Sequence, residues 1–359
     1  MKDLLVMSED TVSLVAVGDI MLGDHPICVG HGVGSSLKNN EGYLFSNVSE
    51  ILKKRDITCG NLECVLSDID IDHNSLASVS LRGREKSIHE LTSAGFNVVF
   101  IANNHILEHG EPSLKETKEL LQQNGILDVG VADTKEESRT VSVMEVQGVK
   151  VGFLAYCLIG DKTAYCSVDN PTEIIEDVKK ASSEVDVLIV SMHWGNEFIR
   201  KPSPKQVDLG HAIIDAGAKL ILGHHPHVLQ GVEEYNDGII AYSMGNFVFD
   251  MWQRKMRESM IFSCNISKEG IDDYEILPAI IDKKFRPLLL DGTEKEELKS
   301  KITGEFLDIM EEATYIIEVQ KRRREYRIDL VKHLIFHFYQ YNPRFLHQII
   351  SGSIKKRTC

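Results

Sequence analysis

At 359 residues, with 43% hydrophobic and 26% charged side chains, the chain has material for one large globular domain or two, and not the composition of a disordered protein. A formal net charge of -14 excludes a whole-molecule nucleic-acid binder and requires a local basic patch or a metal wherever an anionic substrate is met. No apolar run approaches the ~20 residues of a membrane-spanning helix. Met1–Asp10 carries Glu9 and Asp10 without an apolar signal core, and the 7 cysteines form no C-x-x-C pair. The expectation is a cytoplasmic protein with reduced thiols.

Val12–Val17 is a β-rich run ending at Gly18-Asp19, which places a carboxylate at the end of a first strand. Met21–Gly34 is glycine-rich and irregular. Val48–Lys54 reads as a helix and Asp56–Cys59 as a short strand, with Asn61 and Glu63 following at once. Ile88–Ala94 has helical spacing with Gly95 as its stop. Phe96–Ile101 is the next strand, with Asn104 and His105 at its end, where an amide oxygen can serve as ligand beside an imidazole able to donate a proton. Ser113–Asn124 is an amphipathic helix closed by Gly125.

Val141–Val146 and Lys150–Tyr156 flank Gln147-Gly148 as a hairpin. Glu173–Ser183 reads as a helix, and Val185–Ser191 as a buried strand running into Met192-His193-Trp194. Gln206–Ala216 is a helix stopped at Gly217. Leu220-Ile221-Leu222 is then a short strand ended by Gly223, and His224, His225 and His227 follow around Pro226. Ile239–Ser243 and Phe247–Phe249 are strands separated by Met244-Gly245-Asn246. Imidazole is a common borderline metal ligand, and three beside a Gly and a Pro point to metal binding more than to a polar loop. Asp19, Asn61 with Glu63, Asn104 with His105, His193, and His225 with His227 each follow a strand, the edge at which α/β sheets build their sites.

The main domain is expected over 1–295 and a helical C-terminal extension over 296–359. Leu298, Ile302, Phe306, Ile309 and Met310 have helical spacing, as do Leu330, Leu334, Ile335, Phe338 and Tyr339 after the basic run Lys321–Arg324. Pro343 reads as a break, and Lys355-Lys356-Arg357 is basic. Packing of the apolar face on the main domain, or on a second subunit of a homo-oligomer, is favoured over contact with an anionic membrane surface.

Taken in order, Gly18–Gly23, Gly60–Glu63, Ala102–His105, His193-Trp194-Gly195, Gly223–His227 and Tyr242–Phe247 resemble the CapA family of poly-gamma-glutamate capsule biosynthesis proteins, over roughly Val12–Pro287. That family is similar in turn to calcineurin-like metallophosphoesterases. The resemblance implies an α/β protein, a four-layer α/β/β/α sandwich, holding one or two divalent ions (manganese, zinc or iron). It implies Asp19 as the first aspartate ligand, Asn104 as the asparagine ligand with His105 as the neighbouring catalytic acid, and His193, His225 and His227 as the later ligands. Two positions depart from the phosphoesterase pattern. Met21 stands where a histidine is expected, and Asn61 where a bridging aspartate is expected, with Glu63 the nearest carboxylate. A neutral asparagine bridges two cations poorly, so either Glu63 substitutes or one site is weak.

On the substrate side, Arg82, Arg84 and Arg257 are candidate anion clamps by their forked guanidinium geometry. Asn246 joins them, shaping the loop under the histidines together with Ser243. The resemblance implies a metal-dependent hydrolase acting on a phosphoester or related bond in capsule or exopolysaccharide synthesis. Two alternatives stay open: a non-catalytic component of a polymer assembly complex, and an amide hydrolase of gamma-glutamyl polymer. Each takes an anionic small molecule or polymer and no nucleic acid.

Overall fold

Every residue of the Val12–Ile20 strand is buried, as a strand covered on both faces requires. It lies at the middle of an eight-stranded sheet in the computed structural model, which describes residues 11–39, 44–160 and 170–355. Met1–Asp10, Cys166, Lys356-Arg357 and Cys359 lie outside the described residues. On one side of the central strand, Ile57–Leu62, Val98–Phe100 and Leu127–Val129 follow in parallel. On the other side, Glu258–Ser267, Gly270–Ile281 and Pro287–Leu289 run antiparallel. Asn246–Val248 adds a short parallel pairing to the end of the central strand.

The second sheet has six strands, in the order Val232–Tyr235, Gly238–Ala241, Leu220–His224, Val187–His193, Val149–Cys157 and Ser142–Val146. Its four middle strands are parallel and its two edge strands antiparallel. Side chains of the Val149–Cys157 strand alternate between two cores, as the period of a pleated strand dictates. Val151, Phe153, Ala155 and Cys157 join the core shared with the first sheet. Leu154 and Tyr156 instead pack with Ile174 and Val178 of the Pro171–Ser182 helix and with Ile213 of the Pro204–Asp215 helix. Leu91 of the Ile88–Ala94 helix, with Leu114 and Leu121 of the Gly110–Gln123 helix, covers the first sheet. The result is the four-layer α/β/β/α sandwich expected from the sequence.

Local chemistry sets the element ends. Gly95 stops its helix in the left-handed region at φ 86°, and Gln147 and Gly148 both take positive φ in the hairpin turn. Ser203 and Gln206 form a reciprocal capping box ahead of the Pro204–Asp215 helix.

Three elements differ from the sequence reading. The first strand runs on through Gly18 and Asp19 to Ile20, because parallel neighbours on both sides keep it paired. The Glu258–Ser267 and Gly270–Ile281 strands form a long hairpin where the sequence was read without one. Pro343 begins the Pro343–Lys355 helix instead of ending structure, since proline at the first helical position forfeits no hydrogen bond.

Most of the described C-terminal region is helical, with Gly292–Ile302, Glu312–Phe336 and Pro343–Lys355 as its main helices. Leu298 and Ile302 belong to the main core. Tyr341, Phe345 and Ile349 close a small core over Ile27, Cys28 and Leu76, and Leu330 and Leu334 pack against it. Among the described residues, no helix is long and apolar enough to cross a membrane.

Candidate metal centre

Each sheet delivers side chains to one edge. In the first sheet, Asp19 is in register with Asn61 on one neighbour and with Asn246 on the other. The pairing slips at Asp19 on both sides, a bulge of the kind that re-aims a side chain beside a site. Gly18 makes this close approach feasible, since a Cβ there would lie 2.0 Å from the Gly245 carbonyl oxygen. In the second sheet, His193 and His224 are register partners at the ends of adjacent strands. Gly223 again permits close packing, its absent Cβ falling 2.0 Å from the Tyr242 carbonyl. The chain then turns through His225 at φ 92° and His227 at φ 55°, left-handed conformations rarely held by residues with a side chain. Such strain persists only where surrounding contacts fix it. Here Asp19 accepts from the His225 amide at 3.3 Å, and Phe198 donates its amide to the Pro226 carbonyl at 2.7 Å.

Asp19, Asn61, Glu63, His193, His224, His225, His227 and Asn246 are all buried. The Asn61 amide donates to Asp19 Oδ1 at 2.9 Å and points to Glu63 Oε2 at 3.5 Å, while its own oxygen accepts from Asn103 at 3.1 Å. Asn61 is therefore a neutral spacer between two carboxylates. Glu63 Oε1 has no hydrogen-bond partner, yet three imidazole nitrogens surround it: His227 Nε2 at 3.6 Å, His193 Nε2 at 3.8 Å and His105 Nε2 at 3.9 Å. His193 Nε2 also meets Asn104 Oδ1 at 2.7 Å. His193 Nδ1, His224 Nε2 and His225 Nδ1 are buried without partners as well.

These unpaired atoms provide a test of fit for a metal. Spacings of 3.6–3.9 Å are too long for hydrogen bonds, and orphaned buried polar atoms cost free energy. Ligands bound to one ion at about 2.0–2.2 Å stand roughly 3–4 Å apart, depending on the angle between them. Two sets come near that spacing, Asp19 with Glu63 and His227, and Glu63 with His193 and His225; within each set the ligand atoms lie within 4.8 Å of one another. Glu63 is common to both. The mixed carboxylate and imidazole donors suit zinc, manganese or iron.

Without an ion the charges of these groups divide. Burial works against ionisation of Asp19, but hydrogen bonds from His224 and His227 hold its carboxyl well below the usual range. Burial, then the neighbouring Asp19, pushes Glu63 well above it. Burial and the nearby His225 keep His193 neutral, and burial with His227 beside it lowers His225 to about 3. Neutral imidazole is the form that ligates. His227 differs: burial opposes its charge, yet Glu63 and Asp19 raise it to about 10.

At the rim, His105 is partly exposed and its Nδ1 lies 2.7 Å from Glu108 Oε2. Its Nε2 is turned to the centre, 3.2 Å from the Asn104 amide nitrogen. Asn246 sits beneath the cluster, its Oδ1 2.9 Å from His227 Nδ1 and its amide donating to the Met256 carbonyl. This places it as a support of an imidazole, in the loop-shaping position.

The three arginines are engaged elsewhere. Arg82 is buried, its guanidinium donating to the Ser67 carbonyl and hydroxyl and to Ser113 Oγ. Arg84 pairs with Asp68, and Arg257 donates to the Ile281 carbonyl at 2.8 Å. His224, named in the histidine turn but given no ligand role, brings its Nδ1 to 3.0 Å from Asp19 Oδ1. Two contributors were not singled out from the sequence: Asn103 locks Asn61, and Glu108 orients His105. Of these two only Glu108 had a local signal, three residues beyond the histidine.

A four-layer α/β sandwich with buried carboxylates and imidazoles gathered at the shared edge of its sheets defines a class of protein able to hold metal between them. Residues 13–251 match the family model described as Bacterial capsule synthesis protein PGA_cap, and the chain belongs to that family. It is 30% identical over 341 residues to the capsule biosynthesis protein CapA of Bacillus anthracis, covering 88% of this chain and 81% of that protein. It is 29% identical over 306 residues to the PGA biosynthesis protein CapA of Bacillus subtilis (strain 168), covering 82% and 79%. A crystal structure of a novel phosphatase from Mycoplasma pneumoniae aligns with 80% of this chain and 97% of its own, at 12% identity and a TM-score of 0.48.

Proposed function

We propose that the protein is a metal-dependent hydrolase acting on a phosphoester or related bond of an anionic substrate in capsule polymer synthesis. The observation that carries this reading is the placement of His105. Its Nε2 lies 3.9 Å from the unpartnered Glu63 oxygen shared by both ligand sets, while its other nitrogen is held by Glu108 at the rim. Asp19, Glu63 and His227 would hold one ion, and Glu63, His193 and His225 a second, with Asn104 beside it. Glu63, common to both sets, would supply the carboxylate that Asn61 lacks. Such ions polarise a phosphoryl oxygen and lower the pKa of bound water toward neutrality.

The chain's own groups do the rest. Glu108 accepts from His105 Nδ1–H and fixes the ring, so that Nε2 faces the substrate as the proposed proton donor to the leaving oxygen. The Asn104 amide donates to the same Nε2 while that nitrogen is unprotonated, a contact released when Nε2 takes up the proton it delivers, and its oxygen meets His193, which ties the acid to the ligand set. Asn246 keeps His227 Nδ1 occupied and its Nε2 toward Glu63.

Elemental analysis of the purified protein, with hydrolysis of bis-p-nitrophenyl phosphate, p-nitrophenyl phosphate and a gamma-glutamyl anilide in added manganese, tests the proposal. Bound transition metal and hydrolysis of a phosphoester should be lost together in His225→Ala. Turnover of the anilide alone would replace the phosphoester with an amide. Metal without turnover of any of the three, or turnover untouched by His225→Ala, would overturn the assignment.

A further inference from the structure

The Glu312–Phe336 helix carries a second apolar face that the fold does not use. Its inward side is accounted for: Tyr326 stacks on Phe198 with ring centroids 4.4 Å apart and on Trp252 at 5.8 Å, and Leu330 and Leu334 pack beside the small core. On the outward side, Ile317, Ile328, Val331 and Ile335 recur at whole-turn spacing and form one stripe, with Ile317 66% and Ile335 62% exposed. Phe336, Phe338 and Tyr339 extend the apolar surface at its end.

Charge is sorted around this stripe. Arg327 and Lys332 flank it on its two sides, Lys321 and Arg324 lie within it, and Arg323 stands further round, in the row of Leu330. All are exposed. Between Ala313 and Phe336 the most exposed charged residues are cations. The acids of the same stretch are engaged, although the Glu325 and Asp329 side chains stay 42% and 45% exposed. Glu318 and Glu325 hold Arg322 at 2.6 and 2.9 Å, and Asp329 accepts from Gln253 at 3.0 Å. Lys321 and Lys332 keep only long pairs to Glu318 and Asp329, at 3.7 and 3.9 Å. Arg323, Arg324 and Arg327 have no ion-pair partner among the described residues.

We propose that this face docks on an anionic lipid bilayer surface, the helix lying in the interface with its stripe toward the acyl chains. An apolar stripe flanked by cations on both edges is the pattern that such a surface rewards. On a chain of net charge -14 this belt is a local reversal of sign, complementary to an anionic surface. It disfavours a two-fold dimer through the same face. In a two-fold dimer an interface patch meets itself, so Arg323, Arg324 and Arg327 would face their own images.

Flotation of the full chain with phosphatidylcholine vesicles, with and without phosphatidylglycerol, tests this. Binding is expected only to the phosphatidylglycerol vesicles, and high salt should release it. Each cation removed should weaken partitioning about five-fold, so Arg323→Gln, Arg324→Gln and Arg327→Gln together should cost on the order of a hundred-fold. Val331→Ser with Ile335→Ser should also weaken binding, with the circular dichroism of the chain unchanged in both variants. Absent binding, or equal binding to both kinds of vesicle, would overturn the proposal. So would a dimer in sedimentation equilibrium that the serine variant dissolves while vesicles are ignored.

Discussion

Replacing Asn61 with aspartate would restore the residue expected of a phosphoesterase, and it should destabilise the metal-free protein. The Asn61 amide donates to Asp19 Oδ1 at 2.9 Å and separates that carboxylate from Glu63. Asn61→Asp removes a hydrogen bond to a charged acceptor, worth about 1.5–3 kcal/mol. It also sets like charges 2.9 Å apart, about 6 kcal/mol of repulsion at an effective dielectric of about 20. The chain has a cheaper escape. Protonating a carboxyl of ordinary pKa near 4 costs about 4 kcal/mol at neutral pH, which caps the total. The expected loss is therefore about 3–4 kcal/mol, read as a lower urea midpoint in the presence of chelator. The added carboxyl has a raised folded pKa, so the folded state holds the extra proton. The deficit must then shrink as pH falls toward the unfolded value and grow as pH rises from there. Manganese should close the gap by supplying the positive charge that the amide protons only approximate. A variant as stable as wild type in chelator at neutral pH, or a gap that widens in acid, would refute the reasoning.

Three further outcomes are expected. His105→Gln should lower hydrolysis by about 10²–10⁴-fold with metal content unchanged, since it removes a proton donor and no ligand; metal loss in the same variant would count against the role. Gly223→Ala should cost about 3 kcal/mol or more in urea unfolding, because the Tyr242 carbonyl 2.0 Å from the new methyl is backbone and cannot swing away. In chelated protein, burial disfavours the His227 charge but Glu63 and Asp19 raise its pKa to about 10. A raised folded pKa gives stability that is full below the unfolded value near 6.5 and lost as pH rises toward about 10. Urea midpoints across that window should fall, and His227→Gln should flatten the trend.

Much of the fold was legible because strand ends here are chemically marked. Gly95, Gly125 and Gly217 stop helices where positive φ is needed, and polar clusters follow each parallel strand at the edge where the sheets converge. The long hairpin escaped notice because Gly270–Ile281 exposes Asp272, Asp273 and Glu275, and the hairpin is anchored through Glu258–Ser267 to Val12–Ile20, a strand far away in the sequence. The ligand candidates Asp19, Glu63, His193, His225 and His227 were marked by residue type together with their place after a strand. The role of Asn61 as a spacer was not, because it depends on which face of a bulged strand meets Asn103. Arginine gave no guidance at all, since a guanidinium is as suited to the Ser67 carbonyl as to a substrate phosphate, and only tertiary placement chooses between them.

Phe198 sits at a junction. Its amide holds the Pro226 carbonyl in the middle of the histidine turn, and its ring lies under Tyr326 of the long C-terminal helix. Force applied to that helix from outside is thus delivered through one aromatic side chain to the backbone that aims His225 and His227. If docking shifts the helix, occupancy of the ion sites and affinity for the docking surface become reciprocal quantities, each altering the other by the same factor.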